Sequence, residues 1–173
     1  MTGQALYSHL RPAGRGDLDV VLAMEALPHN ALRISQWPRD RHAACLDDAD
    51  YGYWLAVGAA SQPPRYAILR GLTDRHGNVA LQRISVARPG QGTGRPFLKA
   101  LAAHVFGATD CHRFWLDVFT DNAAARDLYR SVGFVEEGIL RQTIVRADGR
   151  RADQAVMSIL RSEWRGGPAA RTP

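Results

Sequence analysis

The spacing of apolar residues changes along the chain, from a helical period near the N-terminus to strand-like runs in the middle. Leu18, Val21 and Leu22 stand three or four positions apart, which predicts a helix that ends at Pro28. Between residues 51 and 87, the sequence instead has three runs of aromatic and β-branched residues with turn residues between them. We expect three antiparallel strands there, with Gly77 at a positive φ in the second turn.

Helical and strand patterns alternate after residue 87. The strand predicted at 112–119 is apolar at nearly every position, which indicates burial on both faces. Because a strand–helix–strand crossover joins parallel strands, we expect a mixed α+β fold with a mostly antiparallel sheet of six or seven strands and one parallel pair. The other predicted elements are strands at 5–13, 134–145 and 152–160, short helical pieces at 31–37 and 38–49, and helices at 97–106 and at 121–134, where Gly133 caps the end.

The length and charge of the chain limit the candidate classes. Its 173 residues suit one domain, which we expect at 1–164, followed by a flexible tail at 165–173. The formal net charge is +5, which favours an anionic ligand or a nucleic acid, although compositional bias toward arginine explains it equally well. The arginines are scattered and no RNA-binding signature accompanies them, so we do not expect a nucleic-acid partner.

Cysteine spacing and hydropathy give further expectations. Cys45 and Cys111 match no metal-binding pattern, so we expect reduced thiols and no metal site. No run approaches the roughly 18 apolar residues that a membrane helix needs, and the first twenty residues lack the apolar core of a signal peptide. These features predict a cytoplasmic protein with no membrane partner. They leave open whether the chain forms a homodimer.

A glycine-rich loop separates the third strand of the middle region from the next helix. The stretch "VARPGQGTGRPFLKAL" at 86–101 places small residues before a helix N-terminus, with Arg88 and Arg95 on either side. Exposed backbone N–H groups and the helix dipole suit an anion there. The loop fits neither the dinucleotide pattern GxGxxG nor the phosphate loop that ends in Gly-Lys-Ser/Thr. A tight turn that only reverses the chain is the alternative.

Two motifs at the right separation resemble a known family. "QGTGRPFLKAL" resembles the Gln/Arg-x-x-Gly-x-Gly/Ala motif of the GNAT family of N-acetyltransferases, with Gln91 and Gly94 matching. "LDVFTDNAAARDLYRSVGF" resembles the second signature of that family, and the segment after it resembles the branch that includes ribosomal-protein N-terminal acetyltransferases. The likeness covers about 79–164. It departs at Pro96, where the family has Gly or Ala, and proline removes one backbone donor.

The resemblance implies an activity and a set of binding residues. It implies a sheet that splays at the parallel pair, helices on both faces, and direct transfer of an acetyl group from acetyl-CoA to a primary amine. The acceptor is a protein N-terminus or a small-molecule amine. A non-catalytic acyl-CoA-binding or regulatory module on the same fold is the alternative. The cofactor-binding residues that the resemblance implies are Ile84, Ser85 and Val86 beside the pantetheine arm, Gln91, Gly92, Thr93, Gly94 and Arg95 around the pyrophosphate, and Asn122 and Arg126 on the next helix.

The catalytic residues are less completely specified. Asn122 and Tyr129 are seven residues apart and share one helix face. By resemblance, Tyr129 protonates the departing thiolate. The strand at 78–87 has no carboxylate to serve as a base, so Glu25, His29 and a water relay are the candidates for deprotonating the amine.

Overall fold

The computed structural model describes residues 10–56, 64–146 and 148–166. These residues form a mixed α/β domain in which one sheet runs through the middle. In chain order the strands are β1 (Leu10–Pro12), β2 (Tyr51–Ala56), β3 (Arg65–Arg70), β4 (Asn78–Val86), β5 (Arg113–Phe119), β6 (Val135–Val145) and β7 (Arg151–Leu160). The α-helices are α1 (Leu18–Glu25), α2 (Pro28–Ala31), α3 (Arg39–Leu46), α4 (Gly94–Ala108) and α5 (Ala123–Val132).

The described strands form a seven-stranded sheet in the order β1-β2-β3-β4-β5-β7-β6. All neighbours are antiparallel except β4 and β5, which are parallel. This parallel pair extends over only three residue pairs, from Asn78↔Arg113 to Ala80↔Trp115. The later parts of β4 and β5 therefore diverge. The expected fold class, including the splayed parallel pair, is confirmed.

Helices cover both faces of the sheet, as expected. Successive side chains of β3 point to opposite faces of the sheet. Tyr66 and Ile68 pack with α1 and α3, while Ala67 and Leu69 pack with α4 and α5. Because one cluster covers each face of β3, the four residues from Tyr66 to Leu69 are almost fully buried.

Several predicted elements differ in the structure. Pro28 follows the end of α1 but begins α2 itself, because proline fits the first turn of a helix, and 32–37 is not helical. Strand β5 is not buried on both faces along its whole length. Phe114, Leu116 and Val118 are buried on the α4 side, whereas on the other face Phe119 is buried but Asp117 is exposed beside the divergence from β4. The predictions for 5–9, 57–58 and 167–173 lie outside the described residues.

Gly77 holds the beginnings of the two parallel strands together. It has φ of +67°, as predicted, and its carbonyl accepts hydrogen bonds from the backbone N–H groups of His112 (2.8 Å) and Arg113 (3.0 Å). A Cβ at this position would lie 2.9 Å from the Asp110 carbonyl oxygen and the His112 nitrogen. Glycine is required here by both conformation and space.

Both cysteine thiols are buried, and burial raises the pKa of Cys111 to about 11. Among the described residues, no helix is long and apolar enough to cross a membrane. The same part of the chain brings together no group of three or more His, Cys, Asp or Glu side chains that could hold a metal ion.

We expect Gly77→Ala to destabilise the protein by at least about 1 kcal/mol, because an L-residue pays that much to adopt a left-handed conformation. Chemical denaturation measures the change. Gly14→Ala is the matched control, since Gly14 has a negative φ of −119° and a Cβ there meets nothing within 4 Å. Equal stability of the two variants would contradict this account of the turn.

Candidate active site

A cavity of about 760 Å³ opens where β4 and β5 diverge. Its wall comes from the segment between α2 and α3, the second half of β4, the glycine loop, the end of β5 and the first turns of α5. Most of the residues expected to bind the cofactor line it: Ile84, Ser85, Val86, Gln91, Gly92, Thr93, Gly94, Arg95 and Asn122. Tyr129 and His29 line it as well.

The backbone of β4 faces the cavity at alternate residues. The N–H of Ala87 donates to the Pro64 carbonyl, 3.1 Å away on the β3 side. Since strand peptide groups alternate in direction, the N–H and C=O groups of Ile84 and Val86 point away from β3, into the divergence. His29 Nε2 lies 3.1 Å from the Val86 carbonyl oxygen, which confirms that this oxygen faces the α2 side of the cavity.

Ser85 differs from its two neighbours because its side chain is buried beneath α2. Its hydroxyl accepts a hydrogen bond from Asn30 Nδ2 at 2.7 Å, and the same amide nitrogen donates to the Met24 carbonyl at 2.8 Å. Ser85 therefore ties β4 to the α1–α2 connection. This contact fixes the strand edge that borders the cavity.

The glycine loop leaves space at two of its three glycines. Gly90 and Gly92 have φ of +80° and +69°, and a Cβ at either would meet nothing within 4 Å. Gly94 begins α4, and a Cβ there would lie 3.4 Å from Leu128 Cδ2 in α5, so its small size serves helix packing. Arg95 donates to the Ser131 carbonyl at 3.0 Å. Small residues, two flanking arginines and a helix N-terminus suit the phosphates of acetyl-CoA.

One predicted cofactor residue is occupied elsewhere. Arg126 donates to both carboxylate oxygens of Glu136, the nearer at 2.8 Å, and to the Thr120 carbonyl at 2.9 Å. It connects α5 to β6 and does not line the cavity. Asn122, by contrast, caps α5 by accepting from the Ala125 N–H (3.4 Å) and also lines the cavity. We therefore do not assign a cofactor contact to Arg126.

Tyr129 lies deep in the cavity wall. It is 7% exposed, its ring centroid lies 5.9 Å from that of Phe134, and it packs in the cluster between the sheet and α4. Burial and, to a smaller extent, the charge of Asp117 raise the pKa of the phenol well above its usual range. The hydroxyl stays protonated at any physiological pH, which a general acid requires.

Asp117 is a cavity residue that the sequence analysis did not single out. Its side chain accepts a hydrogen bond from Gln154 Nε2. The side chain is exposed to the cavity, but desolvation by the surrounding cavity wall raises the pKa of Asp117, and the charge of Arg70 and the Gln154 contact offset only part of the rise. A carboxyl with a raised pKa beside a buried phenol is the kind of pair that enzymes use for proton transfer. In the sequence, the signal that could have identified Asp117 is a single acidic residue among the apolar residues at 114–119.

Glu25 lies in a buried cluster, which makes it a poor base. It is 1% exposed, forms an ion pair with Arg83, accepts from the Tyr66 hydroxyl at 2.6 Å and lies 3.5 Å from His42 Nε2. Burial alone would raise the pKa of Glu25, but the contacts with His42, Tyr66 and Arg83 outweigh it and lower the pKa to about 2. Such a carboxylate holds a proton poorly and does not line the cavity, so we assign it a structural role.

Comparison with known proteins agrees with this geometry. The model of the acetyltransferase (GNAT) family matches residues 18–134, which include the cavity's helices and the splayed strands. The chain belongs to the GNAT family. GNAT enzymes transfer the acetyl group of acetyl-CoA, so the chain is an acetyl-CoA-dependent N-acetyltransferase.

Individual relatives of this GNAT protein are named as polyamine acetyltransferases. A probable spermine N(1)-acetyltransferase from Bacillus subtilis subsp. natto (strain BEST195) is 35% identical over 106 residues, which cover 56% of this chain and 70% of the relative. A mutant of the spermidine N-acetyltransferase SpeG from Vibrio cholerae has 25% identity and a TM-score of 0.77, with 88% and 93% of the two chains covered. The Vibrio cholerae enzyme in complex with CoA and spermine has 24% identity and the same TM-score, with 89% and 95% covered.

We expect Glu25→Gln to lower the free energy of unfolding by about 3 kcal/mol, because it leaves the buried charge of Arg83 uncompensated. The pKa of Glu25 is lowered on folding from 4.5 to about 2, so its stabilisation is present above pH 4.5 and is lost as the pH falls toward 2. Denaturation at several pH values should show the difference from wild type shrinking over that interval. Unchanged stability with lost activity would instead restore Glu25 as a base.

Proposed function

We propose that the protein acetylates a small-molecule primary amine by direct transfer from acetyl-CoA, with Tyr129 as the general acid. The observation that carries the proposal is the position of Tyr129, a buried phenol held protonated in the wall of the cavity between the diverging strands. The names of the relatives support a small-molecule acceptor, since those proteins are described as acting on spermine or spermidine. A ribosomal-protein N-terminus as acceptor has no support among them.

Acetyl-CoA, as substrate, supplies an activated thioester. We place its pantetheine arm beside β4, because the peptide groups of Ile84 and Val86 face the divergence, where the described part of β5 does not pair with them. The phosphates lie at Gln91 to Arg95, where Gly90 and Gly92 leave room for close approach. Asn122 borders the same channel from the start of α5.

Asp117 is the proposed base in place of Glu25. It lines the cavity, and its raised pKa suits proton uptake better than the lowered pKa of Glu25 does. His29 remains a second candidate because it lines the cavity, but its Nε2 is already engaged with the Val86 carbonyl. The proposed base therefore lies on β5, the strand parallel to β4.

The proton transfers balance in this arrangement. Asp117 takes one proton from the ammonium and frees the nitrogen lone pair. The nitrogen bonds to the acetyl carbon, the carbon–sulfur bond breaks, and its electron pair goes to sulfur. Tyr129 donates its proton to sulfur, and the second proton lost by the nitrogen restores the phenol. Asp117 releases its proton to water, so each turnover yields an amide, free CoA and one proton.

The first test is acetyl-CoA consumption with a panel of amines, comparing wild type with Tyr129→Phe. We expect the variant to lose about 10²- to 10⁴-fold in kcat, the usual contribution of a general acid. Its affinity for CoA, measured by calorimetry, and its melting temperature should change little because the ring is kept. A wild-type rate in the variant would make Tyr129 a packing residue, and CoA binding without transfer to any amine would favour a non-catalytic module.

Asp117→Asn should lower kcat/KM by about 10²- to 10⁴-fold at pH 7, because the ammonium then lacks its base. The deficit should narrow as the pH rises toward about 10, where an alkyl amine is increasingly neutral without help. A pH–rate profile of both proteins measures this. Parallel profiles across the whole range would remove Asp117 as the base and leave His29 or water.

A further inference from the structure

The charge of the cavity wall is unexpected for a protein whose relatives are named for polyamines. Among the described residues that line it, one carboxylate, Asp117, stands against five arginines: Arg33, Arg41, Arg83, Arg88 and Arg95. A polyamine is a multiply charged cation at neutral pH, because alkyl amines have a pKa of about 10. A wall with this excess of positive charge repels such a ligand.

The arginines of the wall divide into compensated and uncompensated ones. Arg83 is paired with Glu25, and Arg33 donates to Asp121 at 3.0 Å. Arg88 and Arg95 flank the glycine loop, where the phosphates of acetyl-CoA account for their charge. Arg41, on α3, forms no ion pair with any residue in the described ranges. Its charge is left for another ligand.

Arg41 is held in position by stacking. The guanidinium carbons of Arg41 and Arg83 each lie 3.9 Å from the centroid of Trp37, and the indole is 7% exposed. Stacking on an aromatic face orients a guanidinium and leaves its in-plane N–H groups free to bind an anion. Arg83 belongs to the α1–α3 face of the sheet, since it reaches Glu25, and alternation along β5 places Asp117 on that same face.

We infer that the acceptor is a small primary amine that also carries a carboxylate, with the carboxylate bound by Arg41 and the ammonium directed to Asp117. This inference rests on the proposed function and names its substrate class. A planar guanidinium matches a carboxylate with two parallel hydrogen bonds, and the lone acid of the wall matches a single ammonium. The site thereby discriminates against a second ammonium group, which would meet Arg41 in place of an acid.

The test compares amines that differ only in the group at the far end. Each matched set contains an ω-amino acid, the alkyl amine and the diamine of the same chain length, such as 4-aminobutyrate, n-butylamine and 1,4-diaminobutane. Sets of three, four and six carbons vary the distance between the two end groups, and spermine is included. We expect kcat/KM to follow the order amino acid, alkyl amine, diamine in at least one set, with the first exceeding the second by about 10-fold or more.

The variant Arg41→Gln should abolish this preference. It should raise KM for the amino acid by about 10- to 100-fold, the usual range for a charged hydrogen bond, and leave the alkyl amine unchanged. Arg41→Lys should recover part of the affinity for the amino acid, because lysine keeps the positive charge but lacks the two parallel N–H donors of a guanidinium. Arg39→Gln is the matched control, since Arg39 is on the same helix, pairs with Asp19 and does not line the cavity.

The outcomes separate this inference from the proposed function. The inferred substrate class is wrong if kcat/KM for alkyl amines and diamines equals that for amino acids. It is also wrong if Arg41→Gln has the same KM as wild type for all three kinds of amine. The assignment as an acetyltransferase stands in both cases. If CoA binds and no amine in any set is acetylated, the proposed function fails and the inference fails with it. Melting temperatures of the three variants show that each is folded.

Discussion

Parallel pairing between β4 and β5 stops after three residue pairs, and the site depends on that early end. Gly77 clamps the beginnings of both strands by accepting two backbone hydrogen bonds at a positive φ. Beyond Ala80 the strands diverge, and the outward peptide groups of β4 lack a strand partner in the described sheet. A buried peptide group needs a hydrogen-bond partner, so this edge is suited to the amide-bearing arm of acetyl-CoA. The cavity, the glycine loop and Tyr129 all border the same opening.

Two carboxyl groups near this opening have opposite environments. Glu25 is surrounded by His42, Tyr66 and Arg83, which together lower its pKa, whereas Asp117 is exposed to the cavity and desolvation by the cavity wall raises its pKa. The first group keeps a fixed charge and stabilises the fold, and the second can exchange a proton. The difference follows from the contacts that each group makes, since Glu25 on α1 interacts with three polar side chains and Asp117 on β5 accepts a hydrogen bond from Gln154 alone among the described residues.

Local patterns in the sequence predicted most elements of the fold. The alternation in β2 to β4, the positive φ at Gly77, the helix end at Gly133 and the parallel pair each follow from a few adjacent residues. The start of a helix at Pro28 was missed because a proline that ends one helix can also begin the next. The exposure of Asp117 on β5 was missed because the divergence of two strands leaves no mark on the apolar pattern of either one.

The candidate site was predicted where motifs are continuous and missed where partners are distant in sequence. Gln91 to Gly94 and Asn122 to Tyr129 are local motifs, and both reach the cavity. Glu25 and Arg83 are 58 residues apart, so the ion pair that makes Glu25 structural is invisible to spacing. The search for a base considered β4, Glu25, His29 and a water relay, whereas Asp117 is on β5, the strand parallel to β4. Arg126 was assigned by its place in a motif, while its partner Glu136 lies beyond that helix.

The burial of Cys45 and Cys111 has a consequence for how turnover can be followed. Thiol reagents react with exposed thiolates, and the thiol of Cys111, with a pKa near 11, offers almost none at neutral pH, while Cys45 is shielded by its burial. Released coenzyme A has an ordinary aliphatic thiol in free solution. A chromogenic disulfide added during the reaction therefore reports the product continuously, with little background from the folded protein, and a slow rise in that background would signal unfolding.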